Sequence, residues 1–146
     1  RVTKISEKAK KYGVDLMIEN NVISKNNLIE FKHNPFLMCD TDECLAIIEN
    51  LPHNVNLLAD VAHLKVSSQS LNFNPQTFLK KCNNIIGGYH LSENNGLSDT
   101  NEKFDASSWF WPHLNKKINY YTIEVYDLNL KEVMKLYNLT REKLNA

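Results

Sequence analysis

The chain has 146 residues, 17 basic and 17 acidic side chains and a formal net charge of zero, enough for one domain with a real core and without the basic excess of a dedicated nucleic-acid binder. No apolar run approaches the ~20 residues of a membrane span, and residues 1–13 lack the apolar stretch of a secretory signal. The three cysteines, Cys39, Cys44 and Cys82, have no C-x-x-C spacing, which fits inert thiols in a reducing compartment, the cytoplasm, better than a disulfide framework or a zinc knuckle.

In chain order, Thr3–Tyr12 carries Ile5, Ala9 and Tyr12 at helical spacing, and Gly13 stands where a helix C′ residue belongs. Val14–Ile18 reads as a strand and is followed by a polar stretch. Asp40–Leu51 reads as a helix: Asp40 and Glu43 have capping-box spacing, Leu45, Ile48 and Leu51 form the apolar face, and Pro52 ends it. Val55–Val61 is a second strand. Asn74-Pro75 opens a further helix with Asn as N-cap and Pro at N1, turning Phe78, Leu79 and Cys82 inward. Ile85–Leu91 is a third strand, Ser92–Lys117 a long loop and Tyr120–Val125 a fourth strand. Leu130–Tyr137 and Thr140–Leu144 read as two closing helices. Strands separated by helical crossovers, themselves nearly continuous in apolar residues, imply an α/β fold with a parallel sheet buried on both faces.

Each of the four strands ends in a side chain able to bind a metal: Glu19, Asp60 (with His63 three residues on), His90 and Glu124. They follow one another at intervals of 41, 30 and 34 residues, and one βα unit takes roughly 30 or more. All four groups therefore arrive at the carboxyl edge of the sheet, where α/β folds place their active sites. Three carboxylates gathered there repel one another unless a cation sits among them. Hard oxygens plus one imidazole, with no thiolate, suit Mn²⁺, with Co²⁺, Mg²⁺ or Zn²⁺ as alternatives.

The segments Lys-Tyr-Gly-Val-Asp-Leu-Met-Ile-Glu-Asn (11–20), Leu-Leu-Ala-Asp-Val-Ala-His-Leu (57–64), Gly-Tyr-His-Leu-Ser-Glu-Asn-Asn-Gly (88–96) and Thr-Ile-Glu-Val (122–125) resemble the xylose-isomerase-like TIM barrels. This superfamily contains sugar and sugar-phosphate isomerases and epimerases as well as endonuclease-IV-type enzymes. The Asp-x-x-His of Asp60 and His63 and the His-Leu-Ser-Glu-Asn run of 90–94 are its most specific pieces. The resemblance spans nearly the whole chain but matches only the C-terminal half of the family's barrel, strands five to eight. It implies that Glu19, Asp60, His90 and Glu124 ligate one divalent metal, that Glu19 and Glu124 double as the acid/base pair with His63 as a further catalytic residue beside the metal, and that His63, Asn94 and Asp99 contact a sugar substrate. In such a site the cation stabilises the ene-diolate formed when a carboxylate removes the proton between a carbonyl and a hydroxyl.

The sequence departs from the family at two points. Endonuclease-type members carry Asp-x-His after the third strand, where this chain has Asp99-Thr100-Asn101. Some epimerases carry an Arg shortly after the third-strand His, which Glu93-Asn94-Asn95-Gly96 lacks. His33, His53 and His113 match no ligand motif. The Trp109/Trp111 loop offers either a lid or rim packing, and Lys65 and Lys103 are candidate phosphate contacts. The expectation is a metal-dependent sugar isomerase or epimerase. The rival readings are a hydrolase, endonuclease or dehydratase of the same superfamily, and a non-catalytic partial barrel. A complete (β/α)₈ barrel takes ~200 residues or more. Residues 1–146, starting at Arg1, are therefore read as about four βα units from a longer chain, completed by a missing N-terminal half or by a homo-oligomer.

Overall fold

A computed structural model describes residues 1–145. The elements run α1 (Val2–Lys10), β1 (Leu16–Glu19), α2 (Lys25–Phe31), α3 (Thr41–Glu49), β2 (Val55–Asp60), α4 (Val61–Leu71), α5 (Pro75–Lys81), β3 (Ile86–Leu91), a 3₁₀ turn (Trp111–His113), β4 (Tyr121–Ile123) and α6 (Leu130–Asn145). The four strands form one wholly parallel sheet in the order β1-β2-β3-β4. Sequential parallel strands joined by helical crossovers are the repeat of a (β/α) barrel, here four units of it, with β1 and β4 as open edges.

Local chemistry accounts for most boundaries. α1 runs out into Gly13, which takes φ +67°, a left-handed conformation that glycine adopts without a Cβ clash. Asp40 caps α3 by accepting the Glu43 N–H at 3.0 Å. The reciprocal half of that capping box is not made, because the Glu43 carboxylate accepts the Met38 N–H at 2.7 Å instead. Asn74 caps α5 through the Thr77 N–H, with Pro75 at its first turn.

Two helices lie where the sequence reading saw none. α2 falls in the supposed polar stretch. Its capping box pairs Ser24 with Asn27 rather than with the usual Glu or Gln: Ser24 Oγ accepts the Asn27 N–H and Asn27 Oδ1 accepts the Ser24 N–H. α4 begins without a loop. Asp60 is both the last residue of β2 and the N-cap of α4, accepting the His63 N–H at 2.8 Å, so Val61 is helical rather than the end of the strand. At the C-terminus the expected two helices are one. Thr140 stays within it by donating to the Leu136 carbonyl one turn back, at 2.8 Å.

The core lies between the sheet and its helices. It is built on Leu57, Ala59, Ile86, Tyr89 and Leu91 from the strands and on Leu64, Phe78 and Leu79 from the helices, with Phe110 from the rim loop. Cys39, Cys44 and Cys82 are buried free thiols, and burial pushes Cys39 up to about 11 and Cys82 to about 12. The opposite face of the sheet carries Met17, Leu58 and the Gly87-Gly88 backbone, which meet one another closely. The register between β2 and β3 slips by one residue there: Leu57 pairs with Ile86, but Leu58 pairs with Gly88. Gly87 is the extra residue of a β-bulge, a device common beside active sites because it re-aims the side chains beyond it.

Candidate metal centre

That bulge decides where His90 points. Ile86 joins the helix-side core, and side chains alternate along a strand. Without an extra residue, His90 would face the helices with Ile86. With Gly87 inserted, Tyr89 and Leu91 pack into the core, while His90, opposite Asp60, turns to the other face. The close approach requires glycine. A Cβ at Gly87 would lie 2.7 Å from Asn56 Cβ, and one at Gly88 would lie 2.9 Å from Met17 Sδ.

At the carboxyl edge, Glu19, Asp60, His90 and Glu124 each offer one ligand atom, all within 4.8 Å of one another. Among the described residues this is the one group of three or more such side chains. His90 Nδ1 lies 2.7 Å from Glu19 Oε1, 2.5 Å from Glu124 Oε2 and 3.7 Å from Asp60 Oδ2. Despite these distances, His90 Nδ1, Asp60 Oδ2 and Glu124 Oε2 are buried atoms with no partner in hydrogen-bond geometry. They are close together without hydrogen-bonding one another. Buried polar atoms are normally satisfied, and a divalent cation with bonds of about 2.0–2.2 Å would satisfy all of them at this spacing. The donor set fits such an ion: three carboxylate oxygens and one imidazole nitrogen.

The charges are coupled. Contact with His90 holds Glu19 below the usual carboxylate range, against the effect of burial. The same contact, with the other two carboxylates, raises His90. Burial pushes Asp60 up to about 6, opposed by His63. Asp60 has no exposed surface, whereas the Glu19 and Glu124 side chains are 37% and 33% exposed. The two glutamates are the most exposed of the four, with His90 intermediate at 21%.

His63 stands beside the cluster and is not one of its four donors. Its Nδ1 faces the Asn20 carbonyl at 2.9 Å and its Nε2 faces Asp99 Oδ2 at 3.1 Å. A carbonyl and a carboxylate both accept, which favours the form of His63 with a proton on each ring nitrogen. Burial alone would lower its pKa, but Asp99, Asp60 and the Asn20 carbonyl together raise it to about 9.

The other polar and aromatic candidates have partners within the chain. Asn94 is buried, donating to the Ala62 carbonyl and accepting the Gly96 N–H, so its amide is used in holding the loop after β3. Asn101 is buried and accepts from Ser92 Oγ at 2.9 Å. Lys65 is paired with Glu93 and Lys103 with Glu132. Trp111 is buried and donates from Nε1 to the Asp105 carbonyl; with Phe104, Trp109 and Phe110 it forms an edge-to-face aromatic cluster at the rim. Two features escaped the sequence reading. The Gly87-Gly88 pair was a signal for a bulge. Asn20, directly after Glu19, is buried and bonded to the Asp60 backbone.

No known family profile and no curated protein matches the sequence. The fold does match. The chain superposes on the crystal structure of a Rhodospirillum rubrum protein provisionally named a xylose isomerase, with a TM-score of 0.59 and 14% identity. The match covers 99% of this chain and 50% of that one. The chain therefore has the fold of half of a xylose-isomerase-like TIM barrel, and it spans half the length of the protein it matches.

Proposed function

We propose that this sugar-isomerase-like fold carries a divalent-metal-dependent isomerase or epimerase site acting on a sugar or sugar phosphate. The observation that carries the reading is the convergence of Glu19, Asp60, His90 and Glu124, one from the end of each strand, with three buried ligand atoms that lack hydrogen-bond partners. Held there, Mn²⁺ or a similar ion would supply the Lewis acid that polarises a carbonyl beside a hydroxyl. Asp60, fully enclosed, serves as ligand alone. Glu19 and Glu124 come from the two outermost strands and are part exposed, so they approach a substrate from opposite sides. One takes the proton from carbon and the other returns it. His63, a cation held by Asp99, lies where it can hydrogen-bond a substrate oxygen as negative charge builds on it. The hydrolase alternative loses support at Asn101, whose amide is tied to Ser92 and offers no further ligand. A second (β/α)₄ unit, from a longer chain or another copy, would pair with the open edges of β1 and β4 and supply the rest of the substrate pocket.

The test is Mn²⁺ titration of the chelator-treated chain by calorimetry, followed by proton exchange from D₂O into a panel of aldoses, ketoses and their phosphates. One equivalent of Mn²⁺ and deuterium incorporation next to the carbonyl are expected, both lost in Glu19→Gln and Glu124→Gln. No Mn²⁺ uptake, or hydrolysis in place of exchange, would sink the proposal.

A further inference from the structure

We propose that Asn20 is a positioning residue of the metal centre, and that its side-chain amide sets the end of β2 so that Asp60 and His63 are correctly placed relative to Glu19. The proposal rests on the metal reading above. Asn20 is 2% exposed, and a polar side chain so buried must find partners. It finds them on a single residue. Its Oδ1 accepts the Asp60 N–H at 2.7 Å and its Nδ2 donates to the Asp60 carbonyl at 3.2 Å. Its backbone is equally committed: the N–H donates to the Leu58 carbonyl at 3.2 Å, and its carbonyl accepts from His63 Nδ1 at 2.9 Å.

Regular pairing of β1 with β2 ends at Glu19 opposite Leu58. Beyond it the Asn20 amide takes over the pairing and grips both backbone groups of Asp60, freeing the Asn20 carbonyl to orient His63. Asp60 is thus held twice. Its peptide is fixed by Asn20, and its Oδ1 is taken by the His63 N–H as helix cap, leaving Oδ2 as the free oxygen at the cluster. A neutral amide is required. It presents a donor and an acceptor side by side, and an aspartate there would lose the donor and add a fourth carboxylate beside the other three.

The experiment compares Mn²⁺ affinity with thermal stability in the chelator-treated chain, for wild type, Asn20→Ala and Ser67→Ala. Ser67 is the control. It is fully buried and bonds the same post-β1 segment, accepting the Ile23 N–H and donating to the Asn21 carbonyl, and neither bond is to a member of the cluster. Both variants should lower the melting temperature. Only Asn20→Ala should also weaken Mn²⁺ binding, by about ten-fold or more at unchanged stoichiometry, the range seen when partners of metal ligands are removed. Amide exchange gives a metal-free readout: the Asp60 N–H should lose its protection in Asn20→Ala and keep it in Ser67→Ala. If Asn20→Ala does not fold, Asn20→Ser carries the same expectation at about three-fold or more, because its hydroxyl cannot reach both backbone groups. A folded Asn20 variant with wild-type Mn²⁺ affinity, or equal losses in Ser67→Ala, overturns the positioning role. A wild-type chain that takes up no Mn²⁺ overturns the metal reading itself.

Discussion

Gly87→Ala is the most direct probe of how the fold builds the centre. The added Cβ would sit 2.7 Å from Asn56 Cβ, 3.3 Å from Asn56 Cγ and 3.4 Å from Met17 Cε. Carbon atoms pack comfortably at about 3.5–4.0 Å, so β3 and β2 must separate by about 1 Å at this point. The methionine end can swing away. Asn56 Cβ is fixed to the backbone of β2 and cannot. Overpacking of this kind costs about 1–3 kcal/mol, which for a chain of this size lowers the melting temperature by roughly 2–12 °C. His90 lies three residues further along β3, opposite Asp60, so the same displacement moves one metal donor against another. Differential scanning calorimetry and Mn²⁺ titration on one preparation should show both losses. Asn56→Gly removes the atom that collides, so adding it to Gly87→Ala should recover much of the Mn²⁺ affinity. Wild-type stability and affinity in Gly87→Ala, or no recovery in the double variant, would refute the bulge as the device that aims His90.

Three further outcomes rest on the same geometry. His63 has its pKa raised from 6.5 to about 9, so its charge stabilises the fold fully below about pH 6.5 and the contribution is lost as pH rises through 9. Chelator-treated protein should therefore lose roughly 1–3 kcal/mol over that window, discounted because Asp99 is partly exposed, and Asp99→Asn should flatten the loss in urea titrations at a series of pH values. Asp60→Asn, which changes the fully enclosed member of the cluster, should abolish Mn²⁺ binding yet raise apo stability above pH 6, because a buried carboxylate raised to about 6 opposes folding once ionised; a less stable apo variant at pH 7 would contradict this. Pairing at the β1 and β4 edges should give species heavier than 16.9 kDa in sedimentation of the chain alone, and a monomer at every concentration would count against it.

What could be read from the residues was whatever repeats with the βα unit. Glu19, Asp60, His90 and Glu124 stand out because one strand period separates each from the next, and that periodicity survives errors of a residue or two in element boundaries. α2 and α4 were hidden for local reasons. Asn27 does the work of a capping Glu, and Asp60 ends a strand and starts a helix with no turn residue between. The bulge at Gly87 was signalled only by the Gly87-Gly88 pair, because its position depends on contact with Asn56 across the sheet. Asn20 looked like one more asparagine in an asparagine-rich chain; only the Asp60 backbone 40 residues away distinguishes it. The partners of Asn94 were hidden in the same way: its amide is committed to Ala62 and Gly96.

The division of labour within the half-barrel has a physical basis. The four side chains proposed to hold the metal lie at the ends of the strands of this one sheet, and two of them are placed by contacts inside it: His90 by the Gly87 bulge, and Asp60 by the Asn20 clamp and the α4 cap. Metal affinity should therefore depend on the internal register of the sheet and be insensitive to whatever closes its edges. Substrate recognition is different in kind. In a barrel it comes from loops on every strand, and here the part-exposed surfaces are those of Glu19, His90, Glu124 and the His63–Asp99 pair. The two properties should thus separate experimentally. Adding a complementary (β/α)₄ unit should leave the Mn²⁺ dissociation constant unchanged while strengthening sugar binding. A parallel change in both would mean that the edges, and not the bulge and clamp, hold the donors in place.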